Sequence, residues 1–237
     1  MIYYPEMDKT VKSLPRLLVI EAHSDDSAIS ASAFLEKHRD KCDIHFALLT
    51  VSDINLHHAG ELKRDTRIIE YANYVKHFKG HWHREENLPF DADSRLDTIP
   101  KREIISAIEN IIKIVKPEIL IVQGPSFHQD HTLVYEAAIA ATRPTALHCP
   151  DEIYIMENPT YVHSIGPSTD FKPDLYVCMT EKELNKKLEL FKKYFPSQVR
   201  DEPNSLSLEG IKAWSRYRGI EARTLYAEAF KTFRRVI

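Results

Sequence analysis

Leu17-Leu18-Val19-Ile20 is an unbroken apolar run, and Glu21-Ala22-His23-Ser24-Asp25-Asp26 follows it at once. A short continuous apolar run reads as a strand buried on both faces, as in a parallel sheet. Residues 27–38 then carry Ile29, Ala33 and Phe34 at helical spacing. A strand, a polar turn and a helix make the opening half of a βαβ unit.

The rest of the chain repeats that rhythm. Residues 43–50, 118–122, 152–156, 174–179 and 226–230 read as strands, and 81–88 as a short strand. Residues 61–78, 101–115, 131–142, 181–194 and 208–223 read as helices. Gly80 is placed to cap the first of these, and Pro117 ends the second. Residues 51–60, 89–100 and 158–172 read as loops. There is no internal repeat, low-complexity tract or long linker. The expectation is one Rossmann-like α/β domain over residues 1–237, with a mostly parallel sheet flanked by helices. In such sheets ligands bind outside the carboxyl ends of the strands.

Composition narrows the function classes. The chain has 237 residues and a net charge of -3, so no broad basic surface for nucleic acid is implied. It has only 6 Gly and neither a G-x-G-x-x-G nor a P-loop pattern. Cys42, Cys149 and Cys178 are widely spaced and odd in number, which fits a reducing compartment. Residues 1–15, with Glu6, Asp8, Lys9 and Lys12, do not read as a secretory signal, and the apolar runs fall short of a membrane span. A cytoplasmic protein is expected. The 12 His raise the question of a metal.

Two clusters answer it. His23-Ser24-Asp25-Asp26 follows the first strand, and His128-Gln129-Asp130-His131 follows the strand at 118–122. Taken alone, an Asp pair before a helix reads as a cap, and His-x-x-His as a solvated face. Together they put three His and three Asp at two strand ends. Zinc takes imidazole and carboxylate ligands, and a catalytic site keeps one position open for water or substrate. A spare carboxylate serves as base.

The patterns A-H-x-D-D (22–26) and H-x-D-H (128–131) resemble the signature of the PIG-L/LmbE-like family of zinc-dependent N-deacetylases. Arg67-Ile68-Ile69-Glu70-Tyr71-Ala72 is similar to its R-x-x-E-x-x-A helix. Residues 87–91 with Arg95-Leu96-Asp97, Lys172-Pro173-Asp174 with Ser197-Gln198, and Ala227-Glu228-Ala229-Phe230 resemble later elements in the family's order. The resemblance implies His23, Asp26 and His131 as metal ligands. It implies Asp25 as the base on a metal-activated water, His128 as the group that assists the leaving amine, and Asp130 as the acid that orients and charges His128. It implies Arg67 as a substrate contact, with Arg64 one helical turn away. The implied cofactor is Zn2+, with another divalent metal such as Fe2+ as the alternative. The implied partner is a small-molecule N-acetyl sugar or sugar conjugate, whose hydroxyls Arg67, Asp53 and Asn55 can meet. No nucleic acid or membrane span is expected, and homo-oligomerisation is left open.

The chain departs from that family at several positions. Ser24 and Gln129 stand where Pro is usual, Ala31-Ser32 where Gly is frequent, and no Gly-Glu pair follows Thr50. His81 and His83 share one face of the short strand; exposed surface is the greater expectation there and a second metal the lesser. The same holds for His57-His58. His45 reads as a satisfied core residue, and His148 and His163 receive no role. Trp82, Trp214, Tyr154, Tyr161 and Phe171 read as core more readily than as a sugar platform. Two rivals stand beside the deacetylase. A non-catalytic sugar or nucleotide-sugar binding module would have no need of Asp25, His128 and Asp130. A metal-dependent phosphoesterase would usually want two metals.

Overall fold

A computed structural model describes residues 13–56, 60–84, 88–160 and 171–237. His57, His58, Asn87, Tyr161, His163 and most of the 158–172 loop lie outside the described residues.

In chain order the elements are β1 (Arg16–Glu21), α1 (Asp26–Ser30), α2 (Ser32–His38), β2 (Asp43–Leu48), β3 (Ile54–Leu56), β4 (Gly60–Leu62), α3 (Arg64–His77) and β5 (His81–Trp82). Then come α4 (Lys101–Val115), β6 (Ile119–Gln123), α5 (Gln129–Ala141), β7 (Glu152–Met156), β8 (Leu175–Met179), α6 (Glu181–Tyr194), α7 (Leu208–Glu221) and β9 (Tyr226–Arg235). A 7-stranded sheet has the order β5-β2-β1-β6-β7-β9-β8, and β3 pairs with β4 apart from it. The first five strands are parallel, and β9 runs antiparallel to both β7 and β8. The expected mostly parallel α/β sheet is therefore what the chain forms.

β1 sits inside the sheet because both of its faces are apolar. Leu17 and Val19 pack with Phe34, Phe46, Tyr74 and Phe191 on one side. Leu18 and Ile20 pack with Ile104, Ile108, Ile111 and Val134 of α4 and α5 on the other. The chain runs from β1 outward to β2 and β5, then returns to lay β6 on the opposite side of β1. The strand order thus reverses between β1 and β6.

The expected helix over 27–38 is broken at Ala31 (φ -139°). The reason is tertiary: the Glu228 carboxylate of β9 accepts the backbone N–H groups of Ala33 and Phe34 at 2.9 Å each, so α2 begins afresh there. Residues 51–60, read as loop, contain β3 and the start of β4. α3 accordingly starts at Arg64, where Asp53 Oδ1 accepts the Arg64 N–H at 2.7 Å. Gly80 caps α3, its N–H donating to the Val75 carbonyl oxygen at 3.1 Å, and a Cβ there would also lie 2.6 Å from the Phe46 ring. No helix among the described residues is long and apolar enough to cross a membrane.

Candidate active site

β1 and β6 deliver the two polar clusters to the point where strand order reverses, the crevice that open α/β sheets use for ligands. After β1 the chain turns tightly: the His23 N–H donates to Asp26 Oδ2 at 2.8 Å, and α1 starts at Asp26. After β6, Gly124 passes so close to β7 that a Cβ would lie 2.9 Å from both Ile155 Cγ2 and the Met156 carbonyl oxygen. His128 then caps α5, its Nδ1 accepting the Asp130 N–H at 3.2 Å. That acceptor role leaves the proton of a neutral ring on Nε2.

Donor atoms of three side chains converge from these two segments. His23 Nδ1 lies 3.0 Å from His131 Nε2, His131 Nε2 lies 3.4 Å from Asp26 Oδ1, and His23 Nδ1 lies 3.9 Å from Asp26 Oδ2. Ligands about 2.0–2.1 Å from a tetrahedral zinc sit roughly 3.3 Å apart, so these spacings bracket the size such an ion needs. His128 extends the imidazole set, since nitrogens of His23, His128 and His131 fall within 4.8 Å of one another.

The outer groups suit the same use. Asp130 Oδ2 lies 3.0 Å from His23 Nε2, Ser126 Oγ lies 2.7 Å from His131 Nδ1, and Asn158 Nδ2 donates to Asp26 Oδ1 at 3.1 Å. Metal-binding imidazoles usually have their second nitrogen held in this way. His23, Asp26 and His131 are all buried. Burial would raise the Asp26 pKa, but His131 and His23 outweigh it and hold it at about 2. Burial opposes a charge on His23, yet Asp93, Asp130 and Asp26 push it up to about 9. An excess of negative charge around these imidazoles is a setting for a cation. The residues present therefore fit a zinc-like ion.

Asp25 lines the same crevice, its carboxyl raised by burial and by the adjacent Asp26 charge. Arg67 reaches it from α3. Its guanidinium pairs with Asp93 and donates to the Ser52 carbonyl oxygen at 3.3 Å. Arg64 instead binds the Val51 and Pro89 carbonyl oxygens. Arg67, not Arg64, lines the cleft, as does Asn55; Asp53 does not, being engaged with α3 and Lys63.

The geometry corrects one expectation. Asp130 directs its carboxylate to His23 and to the N–H groups of Ser94 and Leu96 (2.7 and 3.0 Å), and its backbone N–H donates to His128 Nδ1. Burial, together with His23 and His131, pushes His128 down to about 4, away from the charged imidazole expected.

The cleft has a volume of about 440 Å3, with Arg67, Gln198, Arg200, Asn204 and Asn55 among its walls. Among the described residues, Arg67 Nε and Gln198 Nε2 are buried there without a protein partner. Sequence reasoning missed Asp93, Ser126 and Asn158. The strand-end rule applied to β1 and β6 reaches Asn158 when applied equally to β7. Asp93 and Ser126 carry no local signal beyond polarity in a loop.

An α/β sheet with a His and Asp donor set at its switch point defines the class of protein. The chain belongs to the PIG-L family: the profile described as PIG-L, GlcNAc-PI de-N-acetylase, matches residues 18–142, more than half of the chain. Comparison with curated protein sequences yields no match. Several solved structures share the fold. A conserved protein of Thermus thermophilus aligns at 19% identity over 94% of this chain and 97% of its own, with a TM-score of 0.71. The N,N'-diacetylchitobiose deacetylase of Pyrococcus horikoshii aligns at 16% identity over 92% and 84%, with a TM-score of 0.70. A 4-carboxy-2-hydroxymuconate hydratase of Pseudomonas putida aligns at 17% identity over 94% and 98%, with a TM-score of 0.69.

Proposed function

We propose that this chain is a metal-dependent N-deacetylase that hydrolyses the acetamide of an amino sugar or sugar conjugate. The observation that carries the reading is the convergence of His23, Asp26 and His131 at the switch point, with Asp25 beside them and a polar cleft in front. Family membership and the deacetylase among the structural neighbours support it.

His23, Asp26 and His131 are the ligands. A zinc ion held by them would polarise an amide carbonyl and make water a stronger acid. Asp25 takes the proton of the attacking water on its carboxylate, since adjacent Asp26 is turned to the imidazoles and leaves Asp25 free of that duty. His128, with Nε2 carrying its proton, donates to the departing nitrogen. Asp130 holds His23 in orientation. Arg67, fixed by Asp93, binds the substrate, and Asn55, Gln198 and Asn204 offer hydrogen bonds to sugar hydroxyls. A cleft of this volume is of the size that encloses a small ligand.

The test is acetate release from a panel of free, lipid-linked, thiol-linked and nucleotide-linked N-acetyl sugars. Because a hydratase shares this fold, release of acetate rather than binding is the readout. Asp25→Asn is expected to lower turnover by about 10²–10⁴-fold with bound metal retained. Full activity of that variant, or of the metal-stripped enzyme, would overturn the reading.

A further inference from the structure

One wall of the cleft comes from the turn between α6 and α7, which supplies Gln198, Arg200, Asn204 and Leu206. That turn is tied to α3. Glu70, one helical turn on from Arg67, accepts the Ser197 N–H at 3.0 Å and the Ser197 hydroxyl at 2.6 Å. The turn also closes on itself. The Arg200 N–H donates to the Leu206 carbonyl oxygen at 3.2 Å, and the Asn204 N–H to the Asp201 carbonyl oxygen at 3.1 Å. Arg200 is therefore set in one frame with Arg67.

Both arginines line the cleft, but their charges are balanced differently. Arg67 pairs with the buried Asp93. Arg200 meets only neutral oxygens. Its Nη1 donates to the Ser197 and Val199 carbonyl oxygens at 2.7 and 3.3 Å, and its Nη2 to Gln198 Oε1 at 3.2 Å. A guanidinium has five N–H donors. Those three contacts leave Nε–H and one hydrogen of Nη2 without an acceptor among the described residues. Gln198, only 5% exposed, adds to the surplus: its Oε1 is taken by Arg200, and its Nε2 is buried without a partner. Burial works against the Arg200 charge, and the Asp25 carboxylate of the same cleft supports it. This wall thus offers hydrogen-bond donors and a half-buried positive charge. A sugar hydroxyl would bring a hydrogen that itself needs an acceptor. A carboxylate or an ionised phosphate brings acceptors, and its paired oxygens match a guanidinium fork.

The geometry points to an anion subsite on this wall: Arg200, steadied by Gln198, binds a carboxylate or phosphate carried on the aglycone of the substrate. The inference rests on the deacetylase reading above and adds to it the charge of the substrate's second half, with Arg200 as the residue that selects it. Nε–H and Nη2–H of Arg200 take two oxygens of the anion in parallel, and Gln198 Nε2 donates a further bond. Asp25 repels a negative group placed beside it, so the charged aglycone is held at Arg200 and away from the amide to be cleaved.

The test uses hexosaminides that differ only in the aglycone: neutral methyl, carboxymethyl and phosphoethyl. Their free amines, which have no acetyl group to lose, are titrated by calorimetry into the metal-loaded full-length enzyme. Wild type is expected to bind both charged forms roughly 10–100-fold more tightly than the methyl form. Arg200→Met should lose that preference, and Arg200→Lys, which keeps the charge without the fork, should keep part of it. In acetate release from the N-acetyl forms, the preference should appear in KM rather than in kcat. The tighter of the two charged forms identifies the anion as carboxylate or phosphate. Equal affinity of wild type for the methyl and charged forms overturns the proposal, and so does a preference that survives in Arg200→Met. Because the amines report binding alone, the two readings fail separately. An intact preference for charge with no acetate released from any of the three supports the subsite and counts against the deacetylase.

Discussion

At the residue scale, the cleft depends on groups that touch no substrate. Ser126 Oγ meets His131 Nδ1, and Asn158 Nδ2 meets Asp26 Oδ1. Such outer partners typically contribute about ten- to a hundredfold in metal affinity. Ser126→Ala is expected to weaken zinc binding by about that factor, read by competition with a chelator, while the fold stays intact by circular dichroism; unchanged affinity would remove Ser126 from the metal's support. The candidate ligands were legible because each cluster packs His and Asp within four residues after an apolar strand. Their outer partners were not, because Asp93 and Asn158 come from other segments, and only the fold brings Asn158 to bear on Asp26, 132 residues earlier. The Asp130 carboxylate is a further case. The family resemblance implies His128 as its partner, and the first turn of α5 aims the carboxylate at His23 across the switch point.

At the scale of elements, α2 owes its start to a strand made almost two hundred residues later. Glu228 supplies the acceptors that a Ser or Asp cap would usually provide, and it is also paired with the buried Lys187 of α6 at 2.7 Å. Lys187→Met would strand the Glu228 carboxylate in the interior. Breaking a buried pair typically costs about 3–5 kcal/mol, and denaturant unfolding should show a loss of that order. Gly219 of α7 offers a second test. A Cβ there would lie 2.5 Å from the Leu225 carbonyl oxygen and 2.7 Å from Tyr226 Cα. These are backbone atoms that cannot rotate away. Gly219→Ala should destabilise by about 1–3 kcal/mol, and an unchanged unfolding midpoint would show that α7 and β9 can separate without cost. Periodicity located these helices and strands well, because it reports which faces are apolar. It did not find the break at Ala31 or the β3–β4 pair, whose causes are a distant carboxylate and a short polar hairpin.

For the whole molecule, charge pairs tie the layers together and set an acid limit. Burial would raise Glu36, but Lys186 and His77 outweigh it and hold the carboxyl below its usual range. Burial would likewise raise Glu118, but Arg16 prevails and holds it low. A carboxyl lowered by folding contributes stability above its unfolded pKa and loses it as pH falls through the folded value. These two pairs should therefore make the melting temperature fall as pH drops below about 4.3, the ordinary Glu value. Glu118→Gln should shrink the fall. Added salt should weaken the Glu118 share, because that pair is half-exposed. A melting temperature that is no less sensitive to acid below about pH 4.3 in Glu118→Gln than in wild type would contradict the Glu118 assignment.

The position of β9 has a consequence for biosynthesis. β7 and β8 do not pair with each other; β9 stands between them, antiparallel to both. On a ribosome, β2, β5, β6 and β7 follow β1 in an order that lets each find a neighbour already made. β8 emerges with none, and it must wait unpaired until residues 226–235 have left the exit tunnel. A nascent chain halted between β8 and β9 leaves β8 unpaired and the β7 edge uncovered, so products stalled in that interval are the species most exposed to aggregation and to quality control.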